Sequence, residues 1–85
     1  MSRIKVYGAD WCHDTQRTLE HLDGLGVDYE YINVEENAEA SRWVKEKNGG
    51  KERKPTLEIN GRVLSTPSNE ELDAALKQGR SQNAE

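Results

Sequence analysis

The chain holds one cysteine and two prolines, and it has no apolar run long enough to span a bilayer. A single cysteine cannot close an intramolecular disulfide, and no signal peptide is visible, so work in a reducing cytoplasm, away from membranes, is expected. Positive charge is also scarce, since 12 Lys and Arg against 16 Asp and Glu leave a net charge of −4. Neutralising phosphates takes a basic surface, which excludes nucleic acid as the main partner. Apolar residues are few too: they make up 33% of the chain, with a mean hydropathy of −1.02, so the core must be small and concentrated in a few strands and helix faces. One cysteine and two separated histidines, His13 and His21, are too few ligands for a closed zinc site, and no metal is expected. At 85 residues without repeats, a single domain is expected.

The chain does carry a regular succession of short elements. Arg3 to Tyr7 alternates as a strand, Gly8 to Trp11 reads as a loop, and Thr15 to Leu25 repeats leucines at helical spacing before Gly26. Val27 to Val34 is extended again, giving a strand-helix-strand unit whose strands should run parallel. Asn37 can cap a second helix with Ala40, Trp43 and Val44 on its apolar face, ended by Asn48-Gly49-Gly50. Trp43 reads as core and not as a ligand platform. Thr56 to Ile59 and Arg62 to Leu64 flank Asn60-Gly61, the signature of a type I′ hairpin. A last helix starts near Ser68 and carries Leu72, Ala75 and Leu76. Residues 1–77 thus form the domain, and residues 78–85, without apolar anchors, are expected as a disordered tail.

Chemistry concentrates in Trp11-Cys12-His13-Asp14-Thr15, where the first strand gives way to the first helix. A thiol at a helix N-terminus lies beside free N–H groups and the positive end of the dipole, and both favour thiolate, the reactive form. A lone cysteine is often an inert buried hydrophobe, but Asp10, His13 and Asp14 are unsuited to a core, which favours an accessible Cys12. The two carboxylates repel a thiolate and oppose the helix dipole. His13 is either a nearby cation or a solvated side chain, and His21, beside Glu20, reads as surface. The run from Lys45 to Lys54 leans basic and reads as a solvated turn.

These pieces in this order resemble the glutaredoxin family. Tyr7 through Thr15 resembles its strand, aromatic residue and Cys-x-x-Cys segment, with Cys12 at the nucleophilic position; Asn48-Gly49-Gly50 resembles its Asn-Gly-Gly turn; Lys54-Pro55-Thr56 its Thr-Val-Pro segment; and Thr66-Pro67-Ser68-Asn69 the loop opening its last helix. The Asn-Gly-Gly and Thr-Pro-Ser pieces are similar to mycoredoxin-type members. The resemblance implies a thioredoxin-like α/β fold, β-α-β-α-β-β-α, with a four-stranded mixed sheet and helices on both faces. It also implies that Pro55 is a cis-proline beside Cys12, exposing the Lys54 backbone to a thiol ligand. Trp11 and His13 would flank that ligand, while Thr66, Ser68 and Asn69 would hold its carboxylate or sugar at a helix N-terminus.

The departures shape the expected activity. Thr15 stands at the second cysteine of Cys-x-x-Cys, so a dithiol route is closed and a monothiol route is left. Cys12 would act on thiolated protein substrates with a low-molecular-weight thiol, glutathione or mycothiol, as co-substrate and with no bound cofactor. Thr15 would either donate a hydrogen bond to the sulfur or cap the helix. Ala9 replaces a lysine common in the family, for which Lys51, Arg53 or Lys54 would compensate. A monomer is expected. Two other readings stay open: a binding or regulatory module without turnover, and an iron-sulfur carrier, although His13 and Asp14 break that group's Cys-Gly-Phe-Ser pattern. An arsenate reductase would carry arginine four residues after the cysteine, where this chain has Gln16; Arg17, about a hundred degrees further round the helix, should not face the sulfur.

Overall fold

A computed structural model describes residues 3–83, with side chains through Lys77. The elements run β1 (Ile4–Gly8), α1 (His13–Leu25), β2 (Glu30–Asn33), α2 (Ala38–Lys47), β3 (Thr56–Ile59), β4 (Arg62–Ser65) and α3 (Asn69–Asn83). The four strands form one sheet in the order β2-β1-β3-β4. β1 pairs with β2 in parallel, whereas β3 runs antiparallel to both β1 and β4. The mixed sheet follows from the connections: a crossover helix joins β1 to β2, and a two-residue turn joins β3 to β4. Asn60 and Gly61 take φ values of 51° and 87°, the positive pair that a type I′ turn requires.

Strand alternation sorts the side chains onto two faces. Val6 lies opposite Leu57 and Ile4 opposite Ile59, and these four pack with Leu22 of α1 and with Leu72 and Ala75 of α3. Tyr7 points the other way and packs with Val34, Ala40 and Val44, placing α2 on the second face. The helices therefore cover both faces, and Trp43 belongs to the packing, its ring stacked on Tyr7 with centroids 4.5 Å apart. Burial is the largest effect holding the Tyr7 phenol above its ordinary pKa, with the charges of Glu58 and Glu30 adding to it.

Local chemistry ends each helix. Gly26 terminates α1 in the left-handed conformation at φ 71°, and the Asn37 side chain accepts a hydrogen bond from the Ala40 amide at 3.0 Å to start α2. Ser68 and Glu71 form a capping box at α3, the Glu71 amide donating to Ser68 Oγ at 3.1 Å and the Ser68 amide to Glu71 Oε1 at 2.8 Å.

Several sequence boundaries move. α1 starts at His13 and not Thr15, because Cys12 itself takes the extended N-cap conformation and its carbonyl accepts the Gln16 amide at 3.0 Å. Gly8 belongs to β1 and not to the loop. β2 begins only at Glu30, which pairs with Lys5 of β1, and not at Val27. The backbone of residues 78–83, expected as the start of a tail, continues α3: Lys77, Gln78 and Arg80 are good helix formers, and extending a formed helix costs little. Residues 84–85 lie outside the described residues.

Candidate active site

Cys12 sits at the carboxyl end of a central strand, as the N-cap of α1, and is half-buried. What lies under it fixes its position. Thr15, one turn into α1, is fully buried, and its Oγ1 accepts a hydrogen bond from the Ala9 amide at 3.4 Å. Gly8 is the reason α1 can approach this closely. A Cβ on Gly8 would lie 2.5 Å from Thr15 Oγ1 and 2.7 Å from its Cγ2, distances no side chain tolerates. Thr15 therefore serves the strand-to-helix turn, where its hydroxyl accepts from the Ala9 amide and keeps its own proton for a further acceptor.

Pro55 forms the opposite wall. The Lys54-Pro55 peptide bond is cis, Pro55 is fully buried, and Cys12 Sγ lies 3.7 Å from the Lys54 carbonyl oxygen, within reach of an S–H donor. The Lys54 ammonium turns away to Glu52 at 3.0 Å and lies 5.1 Å from the centroid of the Trp11 ring. Trp11 is 60% exposed and donates from Nε1 to Glu35 Oε2 at 2.8 Å. Trp11, Cys12, Lys54 and Pro55 are thus brought together. His13 is exposed at the first position of α1 and joins none of these contacts. Of the lysines and arginine expected to replace the family's missing lysine, Lys54 reaches the site with its charge shared with Glu52, while Lys51 and Arg53 are exposed.

Glu52 anchors this wall, a role its place in a basic run conceals. It accepts hydrogen bonds from Ser41 of α2 and from Lys54, and these, with the charges of Lys54 and Lys45, hold its carboxyl below the usual carboxylate range. A carboxylate with a lowered folded pKa stabilises the fold above its unfolded value, about 4.3, and loses that contribution as the pH falls through the folded value. Glu52→Gln should therefore destabilise the protein at pH 7 by at most about 1 kcal/mol, the group being partly exposed. Urea melts of the two proteins should converge as the pH falls below the unfolded value, about 4.3, and through the lowered folded one. A difference that grows towards low pH would refute the assignment.

The two carboxylates beside the cysteine both have partners. Asp10 accepts from the Tyr31 hydroxyl at 2.6 Å, and its backbone carbonyl accepts from the Gln16 side chain at 2.8 Å. Burial first, then that hydrogen bond and the charges of Asp10, Glu36 and Glu35, hold the Tyr31 phenol well above its ordinary value. Asp14 lies 3.8 Å from the Arg17 guanidinium. Asp14 thus has a cationic neighbour and Asp10 a neutral hydrogen-bond donor, which the sequence alone does not reveal. His21 is half-buried and not simply surface, bridging α1 to α3 through Asp73 at 2.7 Å.

The turn before α3 and the start of α1 line an open cleft of about 550 Å³. Thr66, Ser68 and Asn69 line it together with Arg17 and the carboxylates of Asp14, Glu70 and Glu71. The Thr66 amide donates to the Pro55 carbonyl at 2.8 Å, so the cleft adjoins the proline wall. Arg17 reaches this turn, consistent with its expected direction away from the sulfur. Among the described residues, no group of three or more His, Cys, Asp or Glu could hold a metal ion, and no helix is long and apolar enough to cross a membrane.

A half-exposed cysteine capping the first helix of a β-α-β unit, with a buried cis-proline against it, defines a thioredoxin-fold thiol site. A family model described as Glutaredoxin matches residues 4–64. Mycoredoxin 1 of Corynebacterium glutamicum is 35% identical over 66 residues, covering 78% of this chain and 81% of that protein. The crystal structure of a glutaredoxin from Archaeoglobus fulgidus superposes with a TM-score of 0.73 at 24% identity, covering 89% of this chain and 87% of that one. A thioredoxin-like protein superposes with a TM-score of 0.77 at 28% identity, covering 91% and 97%. The chain belongs to the glutaredoxin family.

Proposed function

We propose that the protein is a thiol-disulfide oxidoreductase of the reducing cytoplasm that works through Cys12 alone. The Cys12 thiolate attacks the mixed disulfide between a protein and a low-molecular-weight thiol, at the sulfur of the small thiol. The S–S bond to the protein breaks, the protein leaves as a thiolate that takes a proton, and Cys12 carries the small thiol. A second molecule of that thiol attacks this intermediate, releasing the symmetrical small disulfide and regenerating Cys12. Two electrons pass from the small thiols to the protein substrate.

The observation that carries this reading is the pairing of a half-exposed Cys12 with the Lys54 carbonyl, above a buried Thr15 that offers no second sulfur. Trp11 and Lys54 flank the bound thiol beside Pro55, and Thr66, Ser68 and Asn69 hold its polar end. Ser68 contributes through its hydroxyl proton, because its amide already donates to Glu71 Oε1 and its hydroxyl oxygen only accepts from the Glu71 amide. The similarity to Mycoredoxin 1 favours mycothiol over glutathione as the co-substrate. One protein substrate capped in turn with each thiol tests this. With the matching free thiol and its reductase, the mycothiol-capped form should be reduced about tenfold faster or more. Equal rates, or a faster glutathione reaction, would refute the choice of thiol; no reduction of either form would refute the activity.

A further inference from the structure

Arg17 has no part in the chemistry above, yet it makes the most directed set of side-chain hydrogen bonds near the site. Its Nη1 donates to Asn69 Oδ1 at 2.5 Å and its Nη2 to the Pro67 carbonyl at 3.0 Å, with Asp14 3.8 Å from its Nε. A planar guanidinium can serve two acceptors at fixed angles; an ammonium group cannot reproduce that fork.

The turn that receives the fork has reason to need it. Thr66 adopts φ 43°, the left-handed region that side chains enter rarely, and its amide is tied to the Pro55 carbonyl at 2.8 Å. A closed ring of contacts results. It runs from Cys12 at the start of α1, along α1 to Arg17, across to Pro67 and Asn69, through Thr66 to Pro55, and back by the Lys54 carbonyl to the Cys12 sulfur. Arg17 supplies the link between α1 and the turn, and it lines the cleft itself.

We propose that Arg17 is a positioning residue for the small thiol: by pinning the 66–69 turn to α1, it sets the span between the Cys12 sulfur and the groups that hold the ligand's polar end. This rests on the monothiol reading above and assigns to Arg17 control over which disulfide is accepted, as distinct from how fast the sulfur reacts. Without the fork, the turn must be ordered each time a ligand binds, a cost borne only by ligands that reach it.

The test compares the full chain with Arg17→Lys and Arg17→Ala in single-turnover formation of the Cys12 mixed disulfide. The probes are mycothiol disulfide, glutathione disulfide and bis(2-hydroxyethyl) disulfide, the last carrying no carboxylate or sugar for the turn to hold. Both variants should react about fivefold to tenfold more slowly with whichever large disulfide the wild type prefers, and within about twofold of wild type with the short one. Lysine should be no better than a partial replacement. A uniform slowing of all three probes, or no slowing of any, would overturn the proposal. A wild type with no preference for either large disulfide over the short one would instead overturn the reading of the cleft as a small-thiol site, and this proposal with it.

Discussion

Cys12→Ser should reduce a thiol-capped protein no faster than the protein-free mixture does, a loss of at least about a hundredfold. Serine has nearly the same shape, but its hydroxyl stays protonated near neutral pH and cannot form the disulfide intermediate. Nothing else in the chain can take over, because Cys12 is its single sulfur nucleophile and Thr15 occupies the buried position beneath it. The substitution should leave the fold intact, since the side chain of Cys12 is half-exposed and its capping contact comes from the backbone carbonyl. A Cys12→Ser protein that keeps its rate would mean that binding without covalent chemistry accounts for the effect on substrate.

The second large effect is expected at a residue with no chemistry. Gly8→Ala should lower stability by about 3 kcal/mol, at the upper end of the cost of overpacking a filled core. In a domain of this size that shifts the melting midpoint by more than about 12 °C. The new Cβ would meet not only the tips of Thr15 but also its Cβ, at 3.1 Å, so rotating the threonine cannot relieve the clash and the start of α1 must move. Cys12 is part of that start, and the rate of disulfide exchange should fall along with stability. Combining Gly8→Ala with Thr15→Ala should cost less than the two changes summed, because removing the threonine methyl and hydroxyl takes away most of the collision. Thermal melts of the two single variants and the double variant measure this. A Gly8→Ala protein as stable as wild type would show that Thr15 does not hold the turn.

The elements were readable because their signals are local. Glycine at Gly26, the Asn37 cap, Asn60-Gly61 and the alternation of Ile4 and Val6 each act within a few residues, and each reappears in the structure. Cys12 and Pro55 were readable for another reason: rare residue types in a known order resemble a family's motif, and the structure brings them together. The remaining features depend on contacts between distant parts of the chain. Arg17 meets the 66–69 turn across 50 or more positions, and Glu52 lies in a basic run that gives no hint of Ser41 on α2. Thr15 stands in the sequence where the family has its second cysteine, but the hydrogen bond its hydroxyl accepts from the Ala9 amide depends on how closely α1 approaches Gly8. The extent of α3 is not legible in the sequence because apolar periodicity marks packing, and a helix can run on after its packing ends.

Cysteine-resolved mass spectrometry of the intact protein tests the proposed chemistry most directly. After incubation with mycothiol disulfide, Cys12 should carry one equivalent of the thiol in disulfide linkage, and adding free mycothiol should remove it and restore the unmodified mass. A Cys12 that stays unmodified, or an adduct that free thiol cannot release, would contradict a monothiol exchange centred on that sulfur.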